Sequence, residues 1–130
     1  MQAEIAACHA RAVSVAGTDW ERIAALYMVL AHLTSSPVVE LNRAVAVGMA
    51  FGPDKGLEIA DTLTGQPALA GYAQLPAVRG DLLVRLGRFG EAGAEFGRAA
   101  ALTSNERERA LFLARAAECQ PSGLAAPPGP

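Results

Sequence analysis

The sequence predicts an all-α fold, an array of about three helical hairpins followed by a C-terminal capping helix. Three observations carry this expectation. First, Arg79 to Asn105, RGDLLVRLGRFGEAGAEFGRAAALTSN, spells a helix, a tight turn and a second helix built to nest. Gly80 admits the close approach of another helix, Gly87 ends the first helix, Phe89 and Phe96 supply packing knobs, and Ala92 and Ala99 keep the second helix thin. Second, Trp20, Pro53 and Phe89 each stand at the turn of a hairpin, and Tyr27, Ala60 and Phe96 each follow seven residues later, so successive units are offset by 33 and 36 residues. Third, hydrophobic residues make up 52% of the chain, much of it alanine, which suits closely packed helices rather than a sheet. A unit of this kind cannot bury its apolar face alone and is completed by stacking on its neighbours.

Seven helices follow from the pattern. Ala3 to Val15 is the first, with Ile5, Cys8, Ala12 and Val15 on one face. Gly17, Thr18 and Asp19 form a turn in which Thr18 or Asp19 is a natural N-cap for a helix from about Trp20 to Leu33. Ser35, Ser36 and Pro37 start the third, Val38 to Phe51, the proline standing in the first turn where its missing N–H costs little. This helix, VVELNRAVAVGMAF, is apolar nearly all round and is expected to be sandwiched on both faces. Gly52 and Pro53 break the chain, and Asp54 is expected to cap a short helix through about Leu63. TGQPALAG, Thr64 to Gly71, is where the spacing stretches and a loop or extra turn must fit. Leu75 to Leu86 and Gly90 to Leu102 form the best repeat. Thr103-Ser104-Asn105-Glu106 has the form of a capping box opening a last helix, Glu106 to Glu118, whose Leu111, Leu113, Ala114 and Ala117 are expected to cover the end of the array. Residues 1–119 are thus read as one helical domain and 120–130, QPSGLAAPPGP, as a disordered tail.

Composition limits the function classes. At 130 residues the chain can bury roughly two thirds of its unfolded surface, enough for a sizeable core. A formal charge of −2 argues against direct nucleic-acid contact by this domain, which usually needs a basic face. No stretch has the length and apolarity of a membrane span, and Met1 to Arg11 lacks the basic start of a signal peptide, so a cytoplasmic location is expected. Cys8 and Cys119 are expected to stay reduced there. Metal-ligand spacings are absent, and no cofactor or metal site is expected.

Nor does the sequence favour catalysis. His9 stands beside Cys8 on a helix, so the two side chains diverge by about 100° and form no thiolate pair. His32 ends a helix, where an imidazole meets free carbonyls. Glu40 and Glu58 come with no phosphate loop or nucleophile elbow. Tyr72 and Trp20 are read as packing residues.

The polar residues on apolar faces stand apart. Glu40, Asn42 and Arg43 lie in the otherwise apolar third helix, and Arg79, Asp81 and Arg85 on the corresponding helix of the next unit. Buried charge is expensive unless paired. Two readings stay open: the six form ion pairs and hydrogen bonds across helices, with Glu40, Arg43 and Arg79 as the core of a structural network; or Asn42, Asp81 and Arg85 point into a concave groove. That groove would bind a protein segment through these residues together with apolar Leu41, Val45 and Met49.

The third unit resembles tetratricopeptide repeats, whose period is ~34 residues: Gly80, Gly87, Ala92, Phe96 and Ala99 match, while Arg79 replaces an aliphatic residue and Ser104 the terminal proline. More specifically, SPVVELNRAVAVGMAFGPDKGLEIAD, followed by LAGYAQLPAVRGDLLVRLGRFGEAGAEFGRAAALTSNERERALFLARAAEC, resembles the C-terminal extension of a group of bacterial extracytoplasmic-function sigma factors. The likeness runs from about Gln2 to Gln120 and is carried by VVELNRAVAV and LPAVRGDLLVRLGR. It implies a regulatory interaction module in transcription initiation, contacting its own sigma regions, RNA polymerase core or a regulator. The promoter-binding regions of the family do not precede Met1, so the chain is expected to be the extension alone. The alternatives are a free-standing scaffold with no transcriptional role and a helical domain sensing a small molecule in its groove. An apolar groove or exposed end also offers a route to a homodimer.

Overall fold

The computed structural model describes residues 19–120, in which helices are joined by turns and short loops and no strand occurs. Six α-helices follow one another: α1 (Trp20–Thr34), α2 (Pro37–Phe51), α3 (Pro53–Thr62), α4 (Gln74–Arg85), α5 (Phe89–Leu102) and α6 (Glu106–Glu118). A 3-10 turn at Pro67–Leu69 takes up the stretched spacing between α3 and α4. The helix expected over Ala3 to Val15, with Cys8 and His9, and the tail from Pro121 onward lie outside the described residues. Trp20, Pro53 and Phe89, the three turn positions of the sequence register, are the first residues of α1, α3 and α5.

Local chemistry sets the boundaries. The Asp19 carboxylate accepts the Arg22 N–H at 3.0 Å and caps α1. At the other end Ser35 turns left-handed (φ 51°), and its N–H donates to the Ala31 carbonyl at 2.8 Å. Ser36 then caps α2 through its hydroxyl, which accepts from the Val39 N–H, with Pro37 at the first helical position. Asp54 is not the cap of α3: the helix begins one residue earlier, and the Gly52 carbonyl accepts from Lys55 and Gly56. Asp54 therefore sits in the first turn, where its charge still favours the helix N-terminus.

Between α4 and α5 the chain reverses through Gly87 (φ 77°). Its N–H donates to Val84 and that of Arg88 to Leu83, both at 2.9 Å, the paired bonds of a Schellman C-cap, whose left-handed residue glycine adopts without strain. The cap of α6 is displaced by two residues from the one expected. Asn105 accepts the Glu108 N–H at 2.9 Å, and the Glu108 carboxylate accepts the Thr103 hydroxyl at 2.7 Å.

The chain divides into two compact units, Met1–Ile59 and Ala60–Pro130, with the boundary inside α3. In the first, Ile23 and Ala24 of α1 meet Ala46 of α2, flanked by Trp20, Leu26, Tyr27 and Val47. On another side of α2 comes α3. A Cβ placed on Gly56 would lie 2.6 Å from the Ala44 carbonyl oxygen and 2.9 Å from the Gly48 Cα. The helix that is apolar all round thus has neighbours on two faces, as its sequence predicts.

In the second unit α4 and α5 nest through Gly80 and Phe96. A Cβ on Gly80 would stand 2.9 Å from the Phe96 ring, and that ring is 1% exposed, a burial worth about 2–3 kcal/mol. Ala92 and Ala99 are buried beside it, but Phe89 is largely exposed and is not a core knob. The last helix presents a different face from the one expected. Leu111, Leu113, Ala114 and Ala117 point outward, whereas Phe112, Arg115 and Ala116 are half-buried and Cys119 is buried. The cause is a set of long polar side chains that reach inward: Arg115 lies over Phe96, 4.5 Å from its centroid, and Arg109 donates to the Ala100 and Thr103 carbonyls at the end of α5.

Candidate functional site

The positions singled out in the sequence fall on two helices, and each helix carries an exposed strip. On α2 the strip is Val38, Asn42, Val45 and Met49, spaced i, i+4, i+7, i+11, with the first three exposed and Met49 half-buried. That spacing keeps four side chains within one helical face. Leu41 leaves the candidate set: at 2% exposure it is a core residue, turned about 100° from Asn42 by the helical period.

On α4 the strip is Gln74, Val78, Asp81 and Arg85, with Asp81 and Arg85 exposed and the other two half-buried. Each member follows its counterpart on α2 by 36 residues, the interval between the starts of α3 and α5. The same face of successive hairpins is therefore left uncovered in both units, apolar on α2 and polar on α4.

The polar residues behave individually. Glu40 and Arg43 pair within α2, not across helices: Nε and Nη2 of Arg43 donate to the two carboxylate oxygens, both at 2.8 Å. That hydrogen bonding holds the Glu40 carboxyl below its ordinary value against the opposing effect of burial. Asn42 is exposed and joins no buried network.

Arg79 does bridge helices. Its Nε donates to Asp61 of α3 and its Nη1 pairs with Glu95 of α5, both at 2.9 Å. Burial disfavours the Arg79 charge, but the two carboxylates outweigh that cost and the guanidinium stays protonated more firmly than usual. Glu95, 6% exposed, also meets Arg98 at 3.1 Å. Sequence reasoning missed Glu95; the available signal was a carboxylate directly before the most buried aromatic of the best repeat. Asp81 is engaged as well, accepting from Nη2 of Arg115 on α6 at 2.6 Å.

Elsewhere His32 donates through Nδ1 to the Met28 carbonyl at 3.0 Å, one turn back within α1 rather than to the free carbonyls at the helix end. Burial pushes the Cys119 thiol up, which leaves little thiolate near neutral pH. Among the described residues no cluster of three or more His, Cys, Asp or Glu is arranged to hold a metal ion, and no helix is long and apolar enough to cross a membrane.

No family model matches the chain, and no solved structure matches it. An uncharacterized protein of Rhizobium meliloti (strain 1021) is 48% identical over 112 residues, a stretch covering 86% of this chain and 26% of the relative. The chain thus spans about a quarter of the length of the curated relative it matches.

Proposed function

We propose that this chain is a TPR-like protein-interaction module that regulates a bacterial extracytoplasmic-function sigma factor, working in the cytoplasm by contact with the sigma regions or with polymerase core. The observation that carries the reading is the recurrence of an exposed strip on α2 and again on α4 at the 36-residue interval of the hairpins. Repeat arrays bind partners through such equivalent positions, apolar anchors supplying affinity and polar neighbours direction. On α2 the anchors are Val38, Val45 and Met49, with Asn42 as the polar contact; on α4, taken by itself, Asp81 and Arg85 are the polar contacts. The tie to sigma factors rests on the resemblance of VVELNRAVAV and LPAVRGDLLVRLGR to the family's C-terminal extension. The match to one segment of a much longer relative is compatible with a module inside a larger protein.

Titration calorimetry of the purified chain against the sigma regions and against polymerase core tests this. The wild type should bind one of them. Val45→Asp, and separately Asp81→Ala combined with Arg85→Ala, should weaken that binding tenfold or more while circular dichroism reports an unchanged fold. Binding that survives both variants would move the interface off these strips. Absence of binding to either partner would remove the transcriptional role and leave a scaffold with other clients.

A further inference from the structure

The outer face of α6 carries a second surface, independent of the strips on α2 and α4. Arg107, Leu111, Ala114 and Glu118 are all exposed, and their i, i+4, i+7, i+11 spacing aligns them along one side of the helix. Leu111 is 64% exposed, a large aliphatic side chain left in water on the last of the described helices. Here the centre of the face is apolar and only its ends are charged, with opposite signs.

The order of those charges identifies the occupant. Arg107 and Glu118 lie equally far from the midpoint of the strip, and so do Leu111 and Ala114. A second copy of α6 laid antiparallel would bring Arg107 of each copy against Glu118 of the other and seat each Leu111 on the partner's Ala114. A two-fold contact demands this self-complementarity, because the same patch must serve both sides. A parallel arrangement would instead set arginine against arginine and glutamate against glutamate. Arg107 is exposed, and Glu118, 72% exposed, meets only Arg115 among the described residues, at 4.0 Å, a guanidinium held more closely, at 2.6 Å, by Asp81. The small Ala114 allows the two helices to approach closely.

We infer that the chain self-associates through an antiparallel, two-fold pairing of α6, with Leu111 and Ala114 as its seam and Arg107–Glu118 pairs at its two ends. One helix face per copy is a small interface, so the equilibrium depends visibly on concentration.

Sedimentation velocity of the full 130-residue chain over a wide concentration range tests the inference. The mass should rise from the 13.4 kDa of one chain towards twice that value. Leu111→Glu should hold the protein at monomer mass throughout. Arg107→Glu alone, or Glu118→Arg alone, sets two like-charge contacts in each dimer and should weaken association roughly tenfold. The two changes together should restore it to within a few-fold of wild type. All four positions are exposed, and an unchanged melting temperature checks that each variant folds. A wild type that stays monomeric at millimolar concentration overturns the inference, as does a dimer indifferent to Leu111→Glu. A double exchange no better than the single ones rules out the antiparallel order.

Discussion

Arg115 on α6 reaches Asp81 on α4 at 2.6 Å, across 34 residues of sequence. The same guanidinium lies 4.5 Å from the centroid of Phe96 on α5, so one side chain ties three helices together. The ion pair itself is exposed, 40% at Arg115 and 55% at Asp81, and such pairs contribute about 0.5 kcal/mol. The ring contact adds roughly 1 kcal/mol, and the arginine stem covers apolar surface besides. Asp81→Ala should therefore lower stability only slightly, whereas Arg115→Ala should cost about 1–2 kcal/mol by urea denaturation. Equal effects would mean that the contact with Phe96 contributes nothing.

The two close helix crossings differ in what would have to yield. A methyl on Gly80 meets the Phe96 ring, which is side chain, while a methyl on Gly56 meets the Ala44 carbonyl and the Gly48 Cα, which are backbone. Gly80→Ala should cost about 1–3 kcal/mol through overpacking. Gly56→Ala should cost more, because α2 and α3 must separate. Thermal denaturation of the pair decides, and an indifferent Gly56→Ala would show that this crossing is loose.

Arg79 presents the sharper electrostatic case, since Glu95 is almost wholly buried. Removing one partner of a buried pair typically costs about 3–5 kcal/mol. Arg98 remains within 3.1 Å of Glu95, so Arg79→Ala should fall near the lower end, about 3 kcal/mol. Adding Glu95→Gln should recover part of that loss by removing the stranded charge. A double variant less stable than Arg79→Ala would mean that Glu95 is held by groups other than Arg79.

Much of this fold is legible in the sequence because the signals are local. Glycine and proline mark the turns, Ser36 and Asp19 have the chemistry of caps, and Phe96 with Ala92 and Ala99 has the period of a buried face. What escaped depends on side chains that cross between helices. The inward face of α6 could not be read from hydrophobicity, because Arg109 and Arg115 pack inward while Leu111 and Leu113 face water. Likewise Leu41 lies beside polar Asn42 in a helix apolar on every side, so periodicity offered no way to tell core from surface. Gly56 gave no warning either, since a glycine inside a short helix is equally consistent with weak propensity and with a backbone crossing.

Glu40 gives a pH dependence whose sign is fixed. Hydrogen bonds from Arg43 hold its carboxyl below the ordinary value of 4.5, so folding is favoured by the charged form. The stabilisation is present above that value and disappears as pH falls through the lower, folded-state value. The pair is partly exposed and should contribute about 0.5 kcal/mol. Urea midpoints of the wild type and Glu40→Gln should accordingly differ at pH 7 and converge as the pH falls through the lowered folded-state value. A gap that persists in acid would assign the effect to packing rather than charge.

Arg109 closes the end of α5 in a way that only a forked donor can. The final carbonyls of a helix lack intrahelical partners. Arg109 serves two acceptors there, donating through Nε to Ala100 at 3.2 Å and through Nη2 to Thr103 at 2.6 Å, while Nη1 meets Glu106 at 2.8 Å. Arg109→Met keeps the aliphatic stem but strands both carbonyls, and should cost about 1–2 kcal/mol. Arg109→Lys restores the charge without the planar fork, so it cannot reach both acceptors at once and should recover less than half of the loss. Because α6 follows directly, its amides should exchange hydrogen faster in both variants than those of α4. A lysine variant as stable as wild type would show that charge at the helix end suffices and that the fork geometry is incidental.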